Sequence, residues 1–201
     1  NKEELTNLYK DEMMFDFPRA ELKPLRAMLR LMDMGQYDPL LVTDDQGVAL
    51  GYAMIWLPRA RNGALLEYLG VLRGKRNGGL GSQVLPMLAA RYGQLFGEAE
   101  APTSDDPAEN DLRRRRIAFY ERNGFRVLDY ECALFGVHYR ALIRGAADVT
   151  AEELLQVHQS IYRRHFLPAL YQRFIQIPLR PGERPNPPGR WMEEEKDGVS
   201  Q

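Results

Sequence analysis

The chain of 201 residues is 44% hydrophobic and 27% charged, with 17 Gly and 13 Pro; that excludes a wholly disordered protein and suffices for one core of ordinary size. Lysine and arginine number 27 against 28 aspartates and glutamates, a net charge of -1, so no global excess draws the chain to nucleic acid or an anionic membrane. The longest uncharged runs, Gln46 to Pro58 and Asn77 to Ala90, fall well short of the roughly 20 apolar residues a membrane-spanning helix needs.

The opening Asn1-Lys2-Glu3-Glu4 is too polar to read as a secretory signal, and a chain that begins on Asn agrees with a natural start further upstream. A helix is expected around Glu4 to Asp11, then Phe15-Asp16-Phe17-Pro18-Arg19, then a second helix whose Leu22, Leu25, Met28, Leu29 and Met32 form one stripe ending near Gly35. Leu40 to Thr43, the turn Asp44-Asp45-Gln46-Gly47 and Val48 to Leu57 read as a hairpin. After a loop at Arg59 to Gly63, Ala64 to Leu72 reads as a strand and Leu80 to Leu88 as a helix, short or bent because Pro86 removes a backbone hydrogen bond. Leu95 to Ala101 reads as a strand, Pro102 to Asn110 as a polar loop, and Asp111 to Arg122 as a helix stopped by Asn123-Gly124. Phe125 to Ala133 and Val137 to Ile143 read as an antiparallel pair. Thr150-Ala151-Glu152-Glu153 has the pattern of a capping box, and Leu154, His158, Ile161 and His165 share a face of the helix it opens. Pro168 divides that helix, with Leu170, Tyr171, Phe174 and Ile175 continuing the stripe. Beyond Pro178 the composition turns to Pro, Gly, Arg and Glu, as in an extended tail. The expected division is a main domain over 1–146, a C-terminal helical extension over 147–178, and a polar tail over 179–201 in which Trp191 and Met192 could anchor.

The segment richest in chemistry is Arg73-Gly74-Lys75-Arg76-Asn77-Gly78-Gly79-Leu80-Gly81-Ser82, between a strand and a helix. Glycines allow close backbone approach, and a helix start offers orphan N–H groups and a positive dipole end to an anion, so a phosphate site is expected. A Walker loop fails here because Lys75 is followed by Arg76 rather than Ser or Thr. A dinucleotide fingerprint over Gly79 to Val84, with Glu98 or Glu100 as ribose acceptor, is weak because Val84 stands where the third glycine belongs.

A third pattern, Arg76-x-x-Gly79-x-Gly81 after the strand end Leu69-Gly70-Val71, resembles the coenzyme A loop of the GNAT N-acetyltransferase superfamily. Ile117-Ala118-Phe119-Tyr120-Glu121-Arg122-Asn123-Gly124-Phe125 is similar to that family's later motif, and Phe17-Pro18 with Glu21 loosely resembles its early helical region. The resemblance covers roughly Phe15 to Arg144 and implies an α/β (α+β) fold: a mixed, mostly antiparallel sheet flanked by helices, here with a C-terminal helical extension. It further implies that strands Ala64 to Leu72 and Leu95 to Ala101 splay around acetyl-CoA. The amides of Asn77, Gly78, Gly79, Leu80, Gly81 and Ser82, with Arg76 in the motif, would then hold the pyrophosphate, while Leu69 and Val71 meet the pantetheine. Tyr120 would protonate the departing thiolate. Arg113 stands where the family often has Asn, so its guanidinium is expected to meet a phosphate or an acidic substrate group instead.

For a general base three carboxylates are open. Period-two alternation places Glu67 on a face with Leu65, Leu69 and Val71, and Glu98 with Glu100 on a face of the next strand; the resemblance puts Glu98 and Glu67 slightly ahead, since family members often carry a glutamate in each region. The implied activity is acetyl-CoA-dependent N-acetyl transfer to a small-molecule or peptide amine, with no metal. The rivals are a non-catalytic acyl-CoA or protein-binding module on the same fold and, more distantly, an NAD(H)-dependent oxidoreductase. His158 and His165 read as core or interface residues and Cys132, the single cysteine, as packing in a reducing cytoplasm. The apolar C-terminal helices are expected to dock on the core, to form a homodimer interface, or to close part of the substrate cleft.

Overall fold

Alternation of side chains along the central strands decides how the layers stack. In a computed structural model, which describes residues 1–18, 21–58, 63–76, 78–145 and 148–187, strand β2 (Ala49–Trp56) is buried from Gly51 to Trp56. Its Tyr52, Met54 and Trp56 enter one apolar cluster and its Ala53 and Ile55 another, so the strand is covered on both faces. Seven strands form one sheet in the order β1-β2-β3-β4-β6-β5-β7, with β1 at Tyr37–Thr43, β3 at Ala64–Val71, β4 at Leu95–Glu100, β5 at Arg126–Leu134, β6 at Val137–Arg144 and β7 at Ile175–Leu179. Neighbours run antiparallel except β3 and β4, which are parallel.

The parallel pair is short. β3 and β4 pair only at Ala64–Leu95, Leu65–Phe96 and Leu66–Gly97, and beyond that point each continues without the other. Where they part, the register against β2 steps from Ile55–Leu66 to Met54–Tyr68, so Glu67 is an extra, bulged residue. The bulge corrects the expected alternation. Leu65, Tyr68 and the Glu67 carboxylate face the first cluster, whereas Leu69 packs against the second.

Helices α4 (Leu80–Tyr92) and α5 (Pro107–Arg122) cover the second face. α4 is not short: it runs 13 residues through Pro86. α5 starts earlier than expected, because Asp106 accepts from the Ala108 amide and Pro107 suits the first helical position. On the first face lie α1 (Lys2–Leu8), which passes through a π-helical turn at Tyr9–Met13 into α2 (Met14–Asp16), and α3 (Leu25–Asp33).

The C-terminal region packs on that same face. The Thr150 capping box opens α6 (Ala151–Arg163), and α6 buries Leu154, Ile161 and Tyr162 in the first cluster. α7 (Pro168–Phe174) follows, but Ile175 does not continue the helical stripe; it begins β7, which pairs with β5 at the sheet edge. Within this chain the C-terminal helices therefore lie on the core, and Tyr162 of α6 also lines the cleft described below. No helix among the described residues is long and apolar enough to cross a membrane. The loop 59–62, most of the tail, including Trp191 and Met192, and Asn77 lie outside the described residues.

Candidate functional site

A cleft of about 810 Å³ opens where β3 and β4 diverge, and α2, α5 and α6 contribute walls to it. At one end the chain turns through Gly74 and enters α4 at Gly79, whose φ of +69° favours glycine. Among the described residues no side chain caps α4, so the helix start presents N–H groups and its dipole to an anion. Of the expected amides in the described residues, that of Ser82 donates to the Gly79 carbonyl at 3.0 Å, which leaves those of Gly78, Gly79, Leu80 and Gly81 as the candidate donors. Gly81 has a packing reason as well, since a Cβ there would lie 2.9 Å from Phe119 Cζ of α5. Arg76 reaches back over the strand end, donating to the Val71 carbonyl at 3.4 Å and pairing with Asp16 at 2.5 Å. Leu69, Gly70 and Val71 form the adjoining wall.

The structure brings Glu67, Glu98, Glu100 and Tyr120 to this one cleft and gives the three carboxylates different partners. Glu67 takes the ammonium of Lys23 at 2.6 Å and the Tyr37 hydroxyl at 2.6 Å. That pair is internal, with Lys23 1% and Glu67 9% exposed, and the Lys23 Nζ also lies 3.3 Å from the Trp56 ring centroid. Burial, then the Glu67 charge, push the Tyr37 phenol well above its ordinary range. Glu100 is held by two guanidiniums, Arg113 at 3.0 Å and Arg116 at 2.5 Å; Arg113 also binds Glu109 and the Ala101 carbonyl. Among the described residues Glu98 pairs with neither a lysine nor an arginine: the Tyr162 hydroxyl lies 2.8 Å from both carboxylate oxygens and His158 Nε2 2.7 Å from Oε1.

Tyr120 stands edge-on to Phe119 and Phe125, and burial, slightly opposed by Arg116, raises its phenol above the ordinary value. It therefore keeps its proton at neutral pH. Cys132 is fully buried, and burial followed by the Glu98 charge hold its thiol well above its usual range, as suits a neutral packing residue.

Four side chains of this constellation lay outside the roles expected from sequence. Glu21 lines the cleft with its carboxyl raised by burial and then by Glu100. Its role had no local signal beyond the loose Phe17-Pro18 resemblance. Lys23, His158 and Tyr162 act on residues 44, 60 and 64 positions away, separations read directly from their numbering and invisible to periodicity.

A family model described as the acetyltransferase (GNAT) family matches residues 2–125. None of the curated proteins matches the chain. Among solved structures it is similar to a putative acetyltransferase of the GNAT family from Bacteroides thetaiotaomicron, with 19% identity, a TM-score of 0.62, and coverage of 77% of this chain and 87% of that one. A phosphinothricin acetyltransferase from Sinorhizobium meliloti in complex with AcCoA shares 16% identity at a TM-score of 0.51, covering 74% and 89%. A spermidine N-acetyltransferase chimera from Vibrio cholerae shares 9% identity at a TM-score of 0.52, covering 72% and 91%. At these identities the likeness is one of fold.

Proposed function

The chain belongs to the acetyltransferase (GNAT) family, and on that premise we propose that it moves an acetyl group from acetyl-CoA directly to the amine of a small molecule or peptide. The observation that carries this is the cleft between β3 and β4, which has an uncapped helix start at one end and a carboxylate and a protonated phenol on its walls. The amides of Gly78 to Gly81 and the α4 dipole suit a pyrophosphate, and Leu69 with Val71 line the path a pantetheine arm would follow. Acetyl-CoA supplies the activated acyl group; the chain supplies orientation and proton transfer.

Glu98 is the proposed base. Glu67 and Glu100 are already neutralised by Lys23 and by Arg113 and Arg116, whereas the hydrogen bonds on Glu98 come from a phenol and an imidazole. Glu98 removes a proton from the ammonium, directly or through water, and frees the nitrogen lone pair. That pair forms the C–N bond at the thioester carbon, and the C–S bond breaks as the carbonyl reforms. Tyr120 gives its proton to the departing sulphur and is reprotonated by the second proton leaving nitrogen, so the products are an amide and free CoA. Glu21 adds a carboxylate that favours a cationic acceptor.

Tyr120→Phe tests the reading. Measured with a panel of primary amines, it should lower kcat about 100-fold with acetyl-CoA affinity unchanged. In the wild type, the raised phenol predicts no loss of rate from Tyr120 ionisation below about pH 10. An unaltered kcat in the variant removes Tyr120 from the mechanism.

A further inference from the structure

The family model ends at residue 125, yet two side chains that grip Glu98 come from α6, later in the chain. Tyr162 bridges both carboxylate oxygens at 2.8 Å, and His158 Nε2 meets Oε1 at 2.7 Å. Behind the imidazole, the Tyr130 hydroxyl lies 2.9 Å from His158 Nδ1. One assignment of hydrogens satisfies the whole chain of contacts without a charge on the ring. Tyr130 O–H donates to Nδ1, Nε2–H donates to Glu98, and Tyr162 O–H donates to Glu98, a carboxylate that can only accept.

The rings that make these contacts have little freedom. His158 is fully buried and stacks on Phe96 with centroids 5.4 Å apart, and Tyr162 stands edge-on to Trp56 at 5.3 Å. Glu98 itself is 11% exposed and lines the cleft. Its grip therefore comes from the buried side, while its remaining lone pairs are available on the open side.

We infer that His158 and Tyr162 are positioning residues that hold the Glu98 carboxylate where it meets the amine, so that the C-terminal region supplies a working part of the transferase site. The inference rests on the proposed role of Glu98. A base whose acceptor oxygen is held within tenths of an ångström loses efficiency steeply when it is freed to swing. Tyr162→Phe keeps the ring and removes the donor; His158→Phe does the same for the imidazole; His158→Gln restores an N–H donor.

The test is steady-state transfer from acetyl-CoA to the best acceptor in a panel of primary amines, with each variant made alone and in a Glu98→Gln background. Tyr162→Phe and His158→Phe should each lower kcat at least about tenfold, with the KM for acetyl-CoA within about twofold, and His158→Gln should recover part of the loss. In the Glu98→Gln background the same changes should cost little more, because the group they position has gone. Wild-type kcat in both single variants overturns the inference, as does an equal fold loss in the Glu98→Gln background, which marks a general effect on the fold. The underlying reading fails separately: it falls if Glu98→Gln alone keeps the wild-type rate.

Discussion

Glu98→Gln should reduce kcat for acetyl transfer about 100- to 1,000-fold while acetyl-CoA binds as in the wild type. Glutamine has the same shape and keeps a carbonyl oxygen for Tyr162 and His158, whose contacts with Glu98 are 2.8 and 2.7 Å, so the packing around α6 is preserved. What disappears is the capacity to accept a proton from an ammonium. The same substitution at Glu100, which Arg113 and Arg116 already neutralise, should cost far less in kcat. Steady-state kinetics on the two variants measure the difference. Equal losses would show that the cleft's overall negative charge, and not one base, controls the rate.

Lys23→Met should destabilise the protein by about 3–5 kcal/mol, the usual result of breaking a buried ion pair on one side only. Methionine fills much of the space under Trp56 but leaves the Glu67 carboxylate, 9% exposed, without its cation and with the Tyr37 hydroxyl as its remaining donor among the described residues. Adding Glu67→Gln to Lys23→Met should restore most of that stability, because the stranded charge is then removed. Chemical denaturation of the two single variants and the double variant measures the coupling. A Lys23→Met protein as stable as the wild type would contradict the assignment of Lys23 as the buried counterion of Glu67.

Local chemistry explains which parts of this architecture were legible in the sequence. The first hairpin was readable because Asp44 has the side chain to close its own turn, and its Oδ1 does accept from the Gln46 and Val48 amides at 3.0 and 2.9 Å. The start of α6 was readable for the same reason: Thr150 and Glu153 satisfy each other's backbone N–H groups. The glycine loop and the Phe119-Tyr120 motif placed the cleft, since both depend on short-range spacing. Beyond that range the sequence is ambiguous. Glu67, Glu98 and Glu100 are alike as letters in strands, and they separate only through Lys23, His158 and the α5 arginines, brought in by tertiary packing. The bulge at Glu67 could not be foreseen from an alternating pattern, because one extra residue transfers every later side chain to the opposite face. Ile175 follows a helix at helical spacing and became a strand because the β5 edge offered it a partner.

The central claim is that the cleft with the open α4 start receives acetyl-CoA. Calorimetric titration of the wild type and Gly78→Asp tests it most directly, with NADH as a control. A Cβ at position 78 meets nothing nearer than the Lys75 carbonyl oxygen at 4.0 Å, so the variant should fold, yet it adds a carboxylate beside the amides that would hold the pyrophosphate. Saturable binding of acetyl-CoA by the wild type, weakened at least about tenfold by the substitution, and no binding of NADH are the predicted results. A folded wild-type protein that does not bind acetyl-CoA, or a Gly78→Asp variant that binds it equally well, would contradict the account.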